Sequence, residues 1–192
     1  GAISRDYTKW DVMGWDWQPA VRDRDMGITE DVFLTASDAI ELMDLYVSSD
    51  LKLPDTTLAD INVTATLVNH SAKALKTTLK GSVFIGNKTI SFILPYTLAA
   101  NESKEIVLDK NNVPELSLAN PQLWWPAGYG KQNLYTLSLE AETADGQKAI
   151  ASANFGIRKL ETYIGARERE FKINGRKIYL RGGTEQTDQR RK

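Results

Sequence analysis

Apolar residues recur at every second position through much of this chain. In residues 58–68, LADINVTATLV, the side chains of this repeat are Leu58, Ile61, Val63, Ala65 and Leu67. Because successive side chains of a β-strand point to opposite faces of the sheet, this period predicts half-buried strands. Similar runs lie at residues 76–86, 88–94, 103–108, 134–143 and 147–155. No amphipathic period of about 3.6 residues interrupts them, so we expect an all-β fold.

Short turn signals join two pairs of these runs. Gly86-Asn87 joins the second run to the third, and Asp145-Gly146 joins the last two. Asp-Gly between alternating runs is among the strongest short-range signals for a β-hairpin, since both residues tolerate positive φ. The runs and turns predict an antiparallel β-sandwich of about seven strands between residues 37 and 158. Because the chain has no cysteine, any likeness to immunoglobulin domains is one of topology.

The two ends of the chain differ from the predicted sandwich. Residues 10–34, WDVMGWDWQPAVRDRDMGITEDVFL, are rich in tryptophan and charge. Residues 169–183, REFKINGRKIYLRGG, predict a second hairpin that turns at Asn174-Gly175. Residues 184–192 contain no apolar residue, and this composition is typical of a disordered tail.

Composition excludes several classes of function. The chain has 24 basic and 25 acidic residues, so no global field favours nucleic acid or an anionic membrane surface. No apolar run approaches the roughly 20 residues of a membrane-spanning helix. The single histidine, His70, lies in a predicted turn without a second imidazole nearby, which does not support a zinc site or a Ser-His-Asp triad. We therefore expect no metal, no cofactor and no nucleic-acid partner. Sequons occur at Asn62, Asn69, Asn87 and Asn101 and matter only in a secreted eukaryotic protein.

The segment NPQLWWPAGYG, residues 120–130, raises the question of an aromatic platform for a ligand. Trp124 and Trp125 are adjacent, so in an extended chain their rings point to opposite sides and cannot form one platform. Pro121 and Pro126 stiffen the backbone around them. We interpret the segment as structural, with one tryptophan buried at the end of the sandwich and the other packed against a neighbouring domain.

Four motifs occur along the chain in a fixed order. They are GWDW-x-P with the following GI-x-x-DV-x-L, then NPQLWWPAGYGKQNLYTL, FGIRKLE and FKINGRKIYLRGG. This order resembles the middle of a family 2 glycoside hydrolase, in the β-mannosidase and exo-β-glucosaminidase branch. The resemblance implies that residues 1–36 are the last strands of a jelly-roll sugar-binding domain and that residues 37–158 are an immunoglobulin-like β-sandwich. Residues 159–183 would then lead into a (β/α)₈ barrel, whereas the stretch TEQTDQRRK at residues 184–192 departs from the family pattern.

The resemblance also implies where catalysis occurs. Retaining glycosidases need two carboxylates about 5 Å apart, and in family 2 both are glutamates on barrel strands outside this chain. The glutamates in or beside the predicted sandwich strands match no family catalytic motif; they are Glu41, Glu102, Glu105, Glu115, Glu140 and Glu142. We expect no catalytic residue here. The expected role is a structural linker within a glycosidase of carbohydrate metabolism that cleaves β-mannosides, β-glucosaminides or β-galactosides, for which a periplasmic or secreted location is plausible.

A substrate-binding role is implied for Trp15, Asp16 and Trp17. In the β-mannosidase and exo-β-glucosaminidase branch, which the chain resembles, this segment reaches toward the barrel pocket. A tryptophan there can stack on a sugar ring, and Asp16 can bind the sugar hydroxyls. Alternatively, Trp15 and Trp17 anchor a strand in a core, and Asp16 pairs with Arg22 or Arg24. The sequence leaves both interpretations open.

Two further classes of function remain as alternatives, because fold alone does not fix function. One is an autonomous carbohydrate-binding module, which the missing row of spaced aromatic residues argues against. The other is an adhesive or scaffold sandwich, which would not need the hairpin at residues 169–183. The expected partners are a carbohydrate substrate through the complete enzyme, the adjacent jelly-roll and barrel domains, and a second copy through unpaired strand edges and exposed tryptophans in residues 10–34.

Overall fold

The computed structural model describes residues 31, 32, 34, 36–165 and 169–180, and none of these residues is α-helical. The all-β prediction is confirmed, with eleven strands and one 3₁₀ helix in the described residues. The strands are β1 (Ile40–Leu51), β2 (Leu58–Asn69), β3 (Leu75–Ile85), β4 (Lys88–Leu98), β5 (Ser103–Leu108), β6 (Ser117–Ala119), β7 (Tyr135–Thr143), β8 (Lys148–Phe155), β9 (Leu160–Ile164), β10 (Arg169–Ile173) and β11 (Arg176–Ile178). The 3₁₀ helix is Pro114–Leu116.

Eight of these strands form the predicted antiparallel sandwich. One sheet has the order β1-β2-β5, with the short β6 also paired to β2, and the other has the order β4-β3-β7-β8. Every pairing within the two sheets is antiparallel. The remaining strands form a separate three-stranded sheet in the order β11-β10-β9. The described residues from 37 onwards belong to one compact unit.

The period-two pattern places the core between the two sheets. On β2 the buried apolar side chains are Ala59, Ile61, Val63, Ala65 and Leu67, each at most 1% exposed. Fully burying a side chain of the size of valine or leucine contributes about 1.5–3 kcal/mol. Leu58 is 52% exposed, so its assignment to the buried repeat is wrong. Leu58 is out of phase with Ile61, and the alternation instead brings Ala59 inward.

Strand β1 is longer and less regular than the sequence pattern indicates. Its pairing with β2 shifts register between Met43 and Tyr46, and Asp44 has a φ of +52°. Such a bulge interrupts the alternation of inward and outward side chains. The period-two pattern therefore did not single out β1 as one strand.

All three predicted hairpin turns form. Gly86 and Gly146 have φ values of +54° and +88°, and the strands on either side of each are paired. Asn174 and Gly175 have φ values of +51° and +78°, and Ile173 pairs with Arg176 across them. Two successive residues with positive φ are what a type I′ turn requires. The predicted hairpin gains β9 as a third strand, whose sequence LETYI has no period-two alternation of apolar residues.

Candidate functional site: the tryptophan loop and the C-terminal hairpin

The segment with the two tryptophans runs beside the chain that leaves β8. We call residues 120–133 the tryptophan loop. The backbone N–H of Trp124 donates to the carbonyl of Ile157 at 2.9 Å, and Leu123 packs against the buried core. The side-chain amide of Asn133 donates to the Leu123 carbonyl at 2.9 Å. These contacts fix the middle of the loop on the end of the sandwich.

A buried tyrosine holds the start of the same loop. The Tyr135 hydroxyl accepts a hydrogen bond from the backbone N–H of Gln122 at 2.8 Å. The Tyr135 ring stacks on Phe155, with 5.5 Å between the ring centroids. Burial raises the pKa of the Tyr135 phenol, so the hydroxyl stays neutral.

The two tryptophan rings rest on different backbone segments. A Cβ atom added at Gly156 would lie 2.8 Å from Trp124, and one added at Gly130 would lie 2.8 Å from Trp125. Each ring therefore packs where only glycine leaves room. Both tryptophans are half-buried, so the burial expected for one of them at the sandwich end is only partial. The rings do not share one packing surface.

Asn174 connects the C-terminal hairpin, formed by β10, β11 and their turn, to the sandwich. Its backbone N–H donates to the Lys159 carbonyl at 2.8 Å, and its Oδ1 accepts from the Lys159 N–H at 2.8 Å. Its Nδ2 donates to the Trp124 carbonyl at 3.1 Å. Asn174 is 9% exposed. One side chain thus ties the hairpin turn both to the segment before β9 and to the tryptophan loop.

Two arginines lie over aromatic rings of the tryptophan loop. The guanidinium carbon of Arg158 lies 4.7 Å from the centre of the Trp124 ring, and that of Arg176 lies 5.1 Å from the centre of the Tyr129 ring. The backbone N–H of Tyr179 donates to the Tyr129 hydroxyl at 2.9 Å. Cation–π contacts of this kind contribute about 0.5–1 kcal/mol at exposed sites. The hairpin and the loop are therefore joined through side chains as well as through Asn174.

Strand β1 contacts the same region from the other sheet. The Ser49 hydroxyl donates to the Arg158 carbonyl at 3.4 Å and accepts from the Arg158 N–H at 3.2 Å, and Lys159 pairs with Asp50. A groove of about 370 Å³ opens beside these contacts, and its lining includes Tyr46 and Asn154. Tyr46 is 65% exposed. Arg158 is the one charged side chain among the described residues that line the groove.

Two glutamates on β7, Glu140 and Glu142, are paired with lysines. Lys80 donates to Glu142, and Lys148 donates to Glu140 at 3.0 Å. The hydrogen bond from Lys80 lowers the pKa of the Glu142 carboxyl below its ordinary value. A carboxyl with a lowered pKa stays ionised at neutral pH and is unsuited to be a general acid. These contacts favour a structural role for Glu140 and Glu142.

The described part of the chain contains no cluster of three or more His, Asp or Glu side chains that could hold a metal ion. His70 pairs instead with Glu41, with 2.7 Å between Nε2 and Oε2.

No helix among the described residues is long and apolar enough to cross a bilayer. The predicted substrate-binding residues Trp15, Asp16 and Trp17, the jelly-roll segment around them and the predicted tail at 184–192 lie outside the described residues.

The fold is an immunoglobulin-like β-sandwich with a hairpin fastened to one end. Residues 40–158 match the family described as Glycosyl hydrolases family 2, so the chain belongs to this family and the predicted resemblance is confirmed. It is 34% identical over 174 residues to an exo-β-D-glucosaminidase from Streptomyces avermitilis. That match covers 90% of this chain and 19% of the length of that enzyme. It is 30% identical over 188 residues to a mannosylglycoprotein endo-β-mannosidase from Lilium longiflorum. That match covers 94% of this chain and 19% of the length of that enzyme.

Solved structures of two related enzymes share the fold. The crystal structure of the exo-chitosanase CsxA from Amycolatopsis orientalis matches with a TM-score of 0.66 and 31% identity, over 82% of this chain and 18% of that one. A β-D-mannosidase from Dictyoglomus thermophilum matches with a TM-score of 0.63 and 25% identity, over 77% of this chain and 17% of the mannosidase. The chain thus spans about one fifth of the length of these relatives.

Proposed function

We propose that this chain is a non-catalytic structural module of a larger glycosidase. The module would hold its neighbouring domains, a jelly-roll and a (β/α)₈ barrel, at a fixed distance and angle. The complete enzyme would hydrolyse a β-glucosaminide, β-mannoside or β-galactoside. The chain's similarity to glucosaminidases and mannosidases about five times its length supports this proposal.

The fastening of the C-terminal hairpin is the observation that carries the linker role. A module that sets an angle between domains must direct its exit rigidly, because a free hinge would leave relative domain motion as the default. Asn174 makes three hydrogen bonds to two separate segments of the sandwich end. Arg176 and Tyr179 add contacts to Tyr129 on the tryptophan loop. The exit strand is therefore held at several points.

Trp15, Asp16 and Trp17 keep their proposed role in substrate binding within the complete protein. One tryptophan would stack on a sugar ring, and the Asp16 carboxylate would accept hydrogen bonds from its hydroxyls. In the complete protein, Asp16→Asn should raise KM for an aryl glycoside more than Asp23→Asn. Equal effects of the two substitutions would favour the structural interpretation of this segment.

The test of the proposed function compares two proteins. The complete protein of the same reading frame should hydrolyse one of the p-nitrophenyl β-glycosides of glucosamine, mannose or galactose. The 192-residue chain should hydrolyse none of them at the same molar concentration. Turnover by the pure chain would contradict the non-catalytic role. A complete protein inactive on all three substrates would contradict the glycosidase assignment.

The exposed Tyr46 in the groove beside β8 favours a second candidate, an autonomous carbohydrate-binding module. An exposed aromatic ring beside the Asn154 amide offers both stacking and hydrogen bonds to a sugar. Titration of the chain with chitosan or mannan oligosaccharides would show binding that Tyr46→Ala removes, if this candidate holds. Absence of binding at about 10 mM ligand, an affinity weaker than about 3 kcal/mol, would reject it.

A further inference from the structure

Two arginines of the described region share an unusual arrangement. Arg158 lies over the ring of Trp124 and Arg176 over the ring of Tyr129, and both rings belong to the tryptophan loop. Both arginines are exposed at the surface, while the rings beneath them are half-buried. The two guanidinium groups therefore lie over rings of the same loop and are exposed to solvent. We call these four residues the arginine–aromatic surface.

The contact with a ring leaves the hydrogen-bonding capacity of each guanidinium unused. Neither the Arg158 nor the Arg176 side chain donates a hydrogen bond to another described residue, so their N–H donors are available to a partner. A carboxylate can accept two parallel N–H bonds from one guanidinium. An arginine held over a ring is pre-organised for a carboxylate, because its rotamer is already restricted before the partner arrives.

Two neighbouring lysines are paired with carboxylates, and these two arginines are not. Lys159 pairs with Asp50, and Lys172 pairs with Glu170 at 3.3 Å. Neither Arg158 nor Arg176 has a carboxylate partner among the residues that the structure describes. The charge of the arginine–aromatic surface is consequently positive, and its complement is an acidic group.

Exposed apolar side chains adjoin the arginines. Tyr179 and Leu180, which follow β11, are 77% and 58% exposed, and Leu160 at the start of β9 is 60% exposed. Tyrosine, tryptophan and arginine are the residues enriched in protein–protein interfaces. A small anion would cover the guanidinium groups and leave these apolar side chains in water. The combination therefore fits a protein partner better than a free anion.

We propose that the arginine–aromatic surface docks a neighbouring domain of the same polypeptide, which presents aspartate or glutamate carboxylates to Arg158 and Arg176. This inference rests on the proposed function, in which the chain is one module of a longer enzyme. The relatives are about five times longer than the chain, and a protein of that length would contain further domains that could dock on this surface. The unpaired positive charge specifies the chemistry of the partner.

The experiment uses the complete protein with three sets of substitutions. The pair Arg158→Glu and Arg176→Glu reverses both charges, while Arg158→Lys and Arg176→Lys keeps the charges and removes the planar two-point hydrogen bonding. Lys104→Glu is the matched control, because Lys104 also lies over an aromatic ring, 5.5 Å from the centre of Tyr96, elsewhere on the sandwich. Each variant is examined by scanning calorimetry and by hydrogen exchange of residues 123–133.

In the complete protein we expect the double reversal to separate the unfolding of the sandwich from that of its neighbour. It should also increase exchange at residues 123–133 by about tenfold more in the complete protein than in the isolated chain, because the loss of the arginine–ring contacts themselves is common to both. The lysine pair should show a smaller increase, and Lys104→Glu should leave residues 123–133 unchanged. In the isolated 192-residue chain the double reversal should change Tm by much less than in the complete protein.

Three results would overturn the proposal. Unchanged calorimetry and exchange in the double reversal would show that no acidic partner docks on the surface. An equal loss of Tm in the isolated chain would show that the arginines act within the module. A dimer of the complete protein that dissociates on double reversal would assign the surface to a second copy. Hydrolysis of aryl glycosides, assayed separately, reports whether the proposed function itself holds.

Discussion

The side-chain amide of Asn174 donates a hydrogen bond to the backbone carbonyl of Trp124 across 3.1 Å, between residues 50 positions apart in the chain. The same side chain accepts a hydrogen bond from Lys159. An asparagine in a hairpin turn thereby holds the exit of the sandwich against its tryptophan loop. The positive φ of Asn174, +51°, favours asparagine at this position, since most other side chains are strained there.

Asn174→Asp should destabilise the chain although the two side chains have the same shape. The carboxylate cannot donate to the Trp124 carbonyl, and the loss of a buried partner costs about 1–3 kcal/mol. Urea unfolding would measure the loss. Asn101→Asp is the matched control, because Asn101 also has a positive φ, +54°, but is exposed. Equal losses of stability for the two substitutions would show that the hydrogen bond to Trp124 does not cause the destabilisation.

Gly156→Ala should destabilise the chain because its new methyl group would meet Trp124. The added Cβ would lie 2.8 Å from Trp124, and overpacking of this kind costs about 1–3 kcal/mol. Because the atoms of Trp124 nearest to the added methyl group include its own Cβ, which alanine would keep, the clash should be relieved in a Trp124→Gly background, and a double-mutant cycle measures that coupling. Additive effects would indicate that Gly156 is required for another reason.

Asn69→Asp should be more harmful than the same change at an exposed sequon. Asn69 is 1% exposed, and its Nδ2 donates to the carbonyls of Lys73 and Ala99, each at 2.7 Å. The aspartate would face two carbonyl oxygens without a donor, at a cost of about 2–3 kcal/mol. Asn87→Asp, in the exposed turn between β3 and β4, should change the urea midpoint little. Similar midpoints for the two variants would refute this account of Asn69.

The pairing of Lys80 with Glu142 should make stability depend on pH in the acidic range. The pKa of Glu142 in the folded chain lies below its ordinary value of 4.5. The unfolded chain therefore binds more protons, and stability rises with pH. The contribution is fully present above about pH 4.5 and is lost as the pH falls through the lower folded-state pKa.

Glu142→Gln should accordingly flatten the fall in the urea midpoint below pH 4.5. The difference from wild type should shrink in about 1 M salt, where the Debye length is about 3 Å. Glu105→Gln serves as a control, because Glu105 is exposed on β5 and has no lysine partner among the described residues. An identical pH profile for wild type and Glu142→Gln would contradict the contribution of this pair.

Much of the fold could be predicted from the sequence because its signals are local. The alternation from Ile61 to Leu67 fixes which face of β2 is buried, and Asn174-Gly175 fixes a type I′ turn. Leu58 was assigned to the wrong face because the repeat was extended one residue out of phase. The bulge at Asp44 hid β1, since it breaks the local period that reveals strands.

The candidate site depends on contacts that no local pattern encodes. The sequence motifs NPQLWW, FGIR and KING were visible, but their convergence was not. Arg158 meets Trp124, and Asn174 meets both Trp124 and Lys159, only after two sheets and a hairpin have assembled. The stacking of Arg176 on Tyr129 likewise joins side chains that the sequence separates widely.

The central claim is that this sandwich is one module of a longer glycosidase. The most direct test is to sequence the reading frame on both sides of the segment that encodes residues 1–192. The account predicts a jelly-roll pattern upstream and, downstream, alternating strands and helices of a (β/α)₈ barrel with two glutamates at strand ends. A frame that encodes no barrel would contradict the account and leave binding as the function of this domain.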